Sequence, residues 1–135
     1  MPKVEKLDHI AIVTDNLDDS LAFYRDQLGL ECQSREVLED RGIEVAFLPI
    51  GDTRIELVAP LHDQSEVSSF LTKRGAGIHH LAFRTSSVDD DCAALQEAGV
   101  RMAAMPSPGA HDCRVAFIHP KSSKGTLIEL SEPQK

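Results

Sequence analysis

No apolar run in this 135-residue chain approaches the ~18 residues that cross a bilayer as a helix. The opening MPKVEKLDHI also lacks the apolar core of a secretory signal. A soluble cytoplasmic protein with no membrane partner is therefore expected. Cysteine is scarce: Cys32, Cys92 and Cys113 are odd in number, far apart and without a CxxC pair, which argues against a disulfide framework and a thiolate zinc site. Positive charge is short too, with 14 Lys and Arg against 22 Asp and Glu. A formal charge of −8 repels phosphate backbones, so no nucleic-acid partner is expected. Neither a GxGxxG nor a P-loop pattern occurs, which removes the Rossmann and nucleotide-hydrolase sites. What is present is 41% hydrophobic residues, enough for the core of one domain of this length.

The apolar residues are distributed in a repeat. DHIAIVTDNLDDSLAFYRDQLGL (Asp8 to Leu30) resembles HHLAFRTSSVDDDCAALQEAGV (His79 to Val100), each reading strand, polar turn, helix. The first helix is expected after Asn16, with Leu17, Leu21, Tyr24 and Leu28 on its buried face and Gly29 as its stop. The second should start near Ser87, bury Cys92 and Leu95, and stop at Gly99. EVAFLPIGDTRIELVAP (Glu44 to Pro60) then finds its counterpart in RVAFIHPKSSKGTLIELSEP (Arg114 to Pro133), a strand, turn and strand with a longer turn in the second copy. The offsets are 71 residues for His9 to His80, 70 for Val45 to Val115 and 73 for Glu56 to Glu129. Glu31 to Glu39 supplies a further strand in the first copy, and SEVSSFLTKRG reads as a linking helix capped by Ser65 and ended by Gly75. Two modules are expected, at about 5–60 and 77–133, joined by the helix at about 65–75 into a single α+β domain over 1–135.

The repeat picks out four polar residues. His79 and His80 are neighbours on a strand and point to opposite faces, and only His80 has a counterpart, His9. Glu56 in RIELVA and Glu129 in LIELSE each stand between apolar neighbours at the same point of the repeat. A lone histidine on an apolar strand commonly serves the core, and a strand glutamate commonly faces solvent. Identical placement in both copies is what neither ordinary role requires. Imidazole and carboxylate together suit a borderline divalent cation such as Co²⁺, Mn²⁺, Ni²⁺, Zn²⁺ or Fe²⁺. His62, His111 and His119 have no repeat partners.

At these residues the chain resembles the vicinal oxygen chelate (glyoxalase) superfamily, whose domains are tandem βαβββ modules forming a cup-shaped mixed sheet around a metal. Within it the methylmalonyl-CoA epimerases are most similar, through DHIAIVTDNLDDSLAFYRDQLGL, VAFLPIGDTRIELVAPL, GIHHLAF and PGAHDCRVAFIHPKSSKGTLIELSEP. The resemblance implies His9, Glu56, His80 and Glu129 as metal ligands, with Co²⁺ foremost, an acyl-CoA substrate, and epimerisation through an enolate that the metal stabilises. It also implies that Glu129 acts as one base.

The second base is open. Some members place a glutamate at the position matching Val45, next to Glu44. If Gly51 and Asp52 form a two-residue turn, Phe47 lies opposite Glu56, so Val45 shares its face and Glu44 points away unless the register slips. His111, Lys121 and a metal-bound water are the other candidates. Lys121, Ser122, Ser123 and Lys124 on the turn of the last hairpin, with Arg114 nearby, are candidates for holding CoA phosphates. Rival readings are a glyoxalase I-like enzyme, a ring-cleaving dioxygenase and a non-catalytic small-molecule binder. Exposed sheet edges point to a homodimer.

Overall fold

The computed structural model describes residues 2–134. They divide into two compact units, one spanning His9–His79 and the other made of the residues up to Asp8 together with those from His80 onward. The division follows the repeat except at the start of the chain. There Glu5 N–H donates to the Arg84 carbonyl at 2.9 Å, and Asp8 accepts from the Arg84 guanidinium at 3.1 Å. The opening residues thereby belong with the later half of the sequence.

In the first module, β1 (Lys6–Val13) leads into α1 (Leu17–Leu21), followed by β2 (Ser34–Leu38), β3 (Ile43–Ile50) and β4 (Thr53–Pro60). The strand order is β2, β3, β4, β1. β1 runs parallel to β4, and the other neighbours are antiparallel. α1 starts where expected because Asn16 accepts from Asp19 N–H at 3.0 Å, and Asp18 and Asp19 favour the positive end of the helix. Leu17 and Leu21 are buried against Ala46, Leu48, Leu57 and Ala59, so this face of the sheet is the helix face. Each such buried leucine contributes about 1.5–3 kcal/mol.

Beyond Leu21 the helix departs from expectation. Ala22–Gln27 winds as a π-helix, with Leu28 N–H donating to the Phe23 carbonyl five residues back. The wider turn rotates the apolar stripe. Leu28, expected to be buried, is therefore 57% exposed, and Leu30 packs on the core instead.

The link also differs in its start. α2 spans Ser68–Arg74 and ends at Gly75, whose φ of 78° is easy only for glycine. Its cap residue is Val67, without a side-chain bond; Ser65 holds the preceding turn by accepting from Val67 N–H at 3.3 Å.

The second unit repeats the plan with β5 (Gly77–Arg84), α3 (Val88–Glu97), β6 (Met102–Pro108), β7 (Cys113–Ile118) and β8 (Ile128–Pro133), in the order β5, β8, β7, β6. β5 is parallel to β8. Ser87 caps α3 through Asp90 N–H at 3.2 Å, and Val88 and Cys92 pack with Ala116 and Leu130, with Leu95 partly buried beside them. The segment between β7 and β8, expected to be a hairpin turn, contains a one-turn helix, α4 (Pro120–Ser123). Proline at its first position has a preset φ and no N–H left unbonded. All three cysteines are free, and Cys92 and Cys113 are buried.

Candidate functional site

β1 and β4 are held in the register that sets Ala11 beside Glu56. His9, two residues earlier, shares the face of Ala11. Ile12 and Leu57 pack on α1, so His9 and Glu56 occupy the opposite face. His9 Nε2 lies 3.3 Å from Glu56 Oε1, and the two side chains are 5% and 8% exposed. Burying a carboxylate is costly unless a donor or a cation compensates it, and a buried imidazole beside it is the kind of pairing a metal site uses.

The second unit reproduces the arrangement. Ala82 stands beside Glu129, His80 is two residues before Ala82, and His80 Nε2 lies 2.7 Å from Glu129 Oε1, again with both side chains buried. The ring of His80 meets Phe117 edge-on, with centroids 5.2 Å apart, and Phe117 is the cross-strand neighbour of Glu129. His79 faces the other way, against Phe70 of α2 at 4.9 Å, as strand parity requires.

Glu44 falls on the helix face, level with Ala59 on β4. Its carboxylate accepts from Arg35, which also donates to Asp18 at 2.9 Å. The Asp18 hydrogen bond, with Glu44 behind it, holds the Arg35 guanidinium above its ordinary pKa against the effect of burial. Val45 lies on the opposite face and is fully buried. The two-residue turn at Gly51 and Asp52 forms, Ile50 pairs with Thr53, and Phe47 stands opposite Glu56.

The remaining candidates lie in the second unit. Arg114 sits on the face of Ala116, where Asp89 at the start of α3 takes both ends of its guanidinium at 2.9 Å. This bidentate contact raises the Arg114 pKa and lowers that of Asp89. Lys121 and Lys124 are exposed on and just after α4. Ser122 Oγ accepts from Arg101 N–H at 2.8 Å, and Ser123 Oγ donates to the Thr126 carbonyl. His119 caps the turn, its Nδ1 accepting from Lys121 N–H at 3.0 Å. His111 is exposed in a short turn, with left-handed backbone at His111 (φ 60°) and Asp112 (φ 53°). Such consecutive non-glycine residues carry strain that the surrounding bonds must hold. Gly109 N–H to the Cys113 carbonyl and Gln134 N–H to the Asp112 carbonyl tie this turn at both ends.

Arg54 and the pair Asp8 and Arg84 are polar features that the sequence reading did not single out. Arg54 lies two residues before Glu56 and on its face, so strand alternation in TRIELVAP already carried the signal. The pair Asp8 and Arg84 is separated by 76 residues and leaves no local pattern.

A family model described as Glyoxalase/Bleomycin resistance protein/Dioxygenase superfamily matches residues 8–117. The ethylmalonyl-CoA/methylmalonyl-CoA epimerase of Cereibacter sphaeroides is 36% identical over 132 residues, covering 96% of this chain and 98% of that protein. The crystal structure of methylmalonyl-CoA epimerase from Mycobacterium tuberculosis matches at a TM-score of 0.92 with 40% identity, over 98% of this chain and 90% of that one. A variant of Streptomyces coelicolor methylmalonyl-CoA epimerase in complex with 2-nitronate-propionyl-CoA matches at 0.93 with 35% identity, over 98% of this chain and all of that one, at 100%.

Proposed function

The chain belongs to the Glyoxalase/Bleomycin resistance protein/Dioxygenase superfamily, and from that premise we propose that it is a metal-dependent epimerase of methylmalonyl-CoA. The observation that carries this is the repetition of a buried His–Glu pair at the same register in both modules, in a chain similar over 98% of its length to an epimerase of that substrate. His9, Glu56, His80 and Glu129 would together hold one divalent cation, with Co²⁺ preferred and Mn²⁺, Ni²⁺ or Zn²⁺ as substitutes. The donor set fits: two imidazole nitrogens and two carboxylates suit borderline cations and leave coordination positions for substrate oxygens. When bound, the metal supplies positive charge where negative charge develops on the thioester oxygen as the α-proton leaves.

The chain's own residues must move the proton. Glu129 takes it on one side of the α-carbon, its carboxylate oriented by His80. His111 returns a proton on the other side. Glu44 is less suited, because Arg35 engages its carboxylate on the helix face, and Lys121 stands on the exposed turn of α4, where the same side chain is wanted for the CoA phosphates. Lys121 and Lys124 would receive the CoA phosphates, whereas Arg114 is directed to Asp89. The proposal includes a homodimer acting in the cytoplasm, which sedimentation and fractionation would test. No helix among the described residues is long and apolar enough to cross a membrane.

The test is exchange of the α-proton of methylmalonyl-CoA in D₂O, followed by NMR with metal-stripped protein and after adding Co²⁺ or Mn²⁺. Metal-dependent exchange with loss of optical activity is the expected result. Folded protein that gives no exchange with any of these metals would overturn the reading.

A further inference from the structure

The two modules carry opposite charge at the same corner. In the repeat, Leu28-Gly29-Leu30-Glu31 corresponds to Ala98-Gly99-Val100-Arg101. The backbone agrees, since Leu30 N–H donates to the Tyr24 carbonyl at 3.0 Å and Val100 N–H to the Leu95 carbonyl at 2.9 Å. Glutamate thus stands in the first module where Arg101 stands in the second. The turn before the last strand differs in the same sense, Gly51-Asp52 in the first copy against α4 with Lys121 and Lys124 in the second.

Arg101 is tied to that turn through its backbone. Its N–H donates to Ser122 Oγ at 2.8 Å, and its carbonyl accepts from His119 N–H at 2.9 Å. Burial, and then the charges of Arg101 and Lys121, lower the His119 pKa, which sets both cations around one ring. Arg101, Lys121 and Lys124 are all exposed. Among the described residues, Arg25, Arg35, Arg41, Arg84 and Arg114 each meet a carboxylate, whereas these three cations meet none. Like charges gathered without a counterion repel one another, and a bound anion relieves that repulsion. The corner adjoins the candidate site within one unit. Met102, Ile118 and Ile128 are cross-strand neighbours on β6, β7 and β8, and the next rung of β7 and β8 carries Phe117 and Glu129. Arg101 precedes Met102, and Lys124 stands five residues before Glu129, at most about 18 Å of extended chain.

We infer that Arg101 binds a phosphate of the coenzyme A portion of the substrate, with Lys121 and Lys124 around it as point charges. This rests on the epimerase reading above and deepens it. A guanidinium fork matches two phosphate oxygens at once, which a lysine does not. The thioester and the phosphates lie at opposite ends of the pantetheine arm, so a phosphate contact belongs at a strand end removed from Glu129 rather than beside it. Glu31 and Asp52 make the equivalent corner of the first module repel the same group.

The test compares methylmalonyl-CoA with methylmalonyl-pantetheine, which keeps the acyl group and the arm but has no phosphate. Binding to the metal-loaded protein is measured by calorimetry for wild type, Arg101→Met and Lys73→Met, the last removing an exposed cation of α2 as a control for net charge. Arg101→Met is expected to weaken methylmalonyl-CoA about 10-fold and to leave methylmalonyl-pantetheine within about two-fold, with both unchanged in Lys73→Met. The dephospho form of the CoA thioester, which lacks only the phosphate on the ribose, tells which group is held. The deficit vanishes with it if Arg101 holds the ribose phosphate and persists if Arg101 holds the diphosphate. Equal weakening of both ligands, or equal weakening by Lys73→Met, overturns the inference, as does an Arg101→Met protein that binds methylmalonyl-CoA like wild type. A wild type that binds both ligands equally well overturns it too, while the epimerase reading still stands or falls on α-proton exchange. A wild type that binds neither removes that reading, and this inference with it.

Discussion

Thr14 in the first module and Thr85 in the second donate their backbone N–H groups to Val58 and Ser131, at 2.9 and 3.0 Å. Asn16 and Ser87 cap the two helices, and Leu61 and Gln134 donate to Gly42 and Asp112 at matching points of the repeat. These shared bonds fix the strands whose register sets each histidine against its glutamate. The modules diverge elsewhere: the π-turn after α1 against the regular α3, the tight Gly51-Asp52 turn against α4, and Arg54 against Leu127. The duplicated scaffold positions the two His–Glu pairs proposed as metal ligands, and the unmatched parts are where substrate-specific chemistry has room to reside.

The largest expected effect breaks that symmetry within one strand. His80→Ala should lose bound metal and activity, and His9→Ala should do the same from the other module. His79→Ala should keep its metal, because its ring lies against Phe70. Metal content by mass spectrometry decides it; equal losses at His79 and His80 would sink the parity assignment. The next comparison is between the carboxylates. Glu129→Gln removes the proposed base and should lower α-proton exchange by about 10²–10⁴-fold, while Glu56→Gln, at a residue proposed as a ligand only, should retain most of the exchange. His111→Gln sharpens the division further. One stereoisomer should still wash out its α-proton into D₂O while epimerisation stops, and unchanged epimerisation would exclude His111 as the second carrier.

Much of this arrangement was legible because it is local or periodic. The repeat offsets, the caps at Asn16 and Ser87, the facing of His79 and His80, and the register through Gly51 and Asp52 all follow from alternation and turn chemistry. Leu28 was misplaced because helical periodicity assumes 3.6 residues per turn and cannot foresee a π-turn. β6 is hard to read in MAAMPSP, whose two prolines and register shifts spoil alternation. Asp8 pairs with Arg84 across nearly the whole sequence, and only tertiary structure reveals it.

A smaller effect separates the loops that enter β3 and β7. Gly42 has a φ of 69°, and an added Cβ would stand 3.0 Å from His62, so Gly42→Ala should cost about 1–3 kcal/mol by backbone strain and overpacking. Its counterpart Asp112 already adopts a left-handed φ of 53°. Asp112→Gly should therefore change stability by under about 1 kcal/mol. Chemical denaturation of both variants checks the contrast, and similar losses would mean that the two loops are not equivalent.

The smallest effect is pH-dependent and confined to the second module. Burial, with Arg101 and Lys121 nearby, pushes the His119 pKa below its ordinary value of 6.5. The cap also needs the neutral ring, since Nδ1 accepts from Lys121 N–H. Below that ordinary value the unfolded chain takes up the proton before the folded one does. The stabilisation is thus fully present above about pH 6.5 and fades as pH falls through 6.5 toward the lower folded value. The Gly51-Asp52 turn of the first module has no histidine to titrate. His119→Asn keeps a capping acceptor without titrating, so the difference in unfolding temperature between wild type and this variant should shift against wild type from pH 8 to pH 5. A difference that stays constant across that range would mean that protonation of His119 does not weaken the cap.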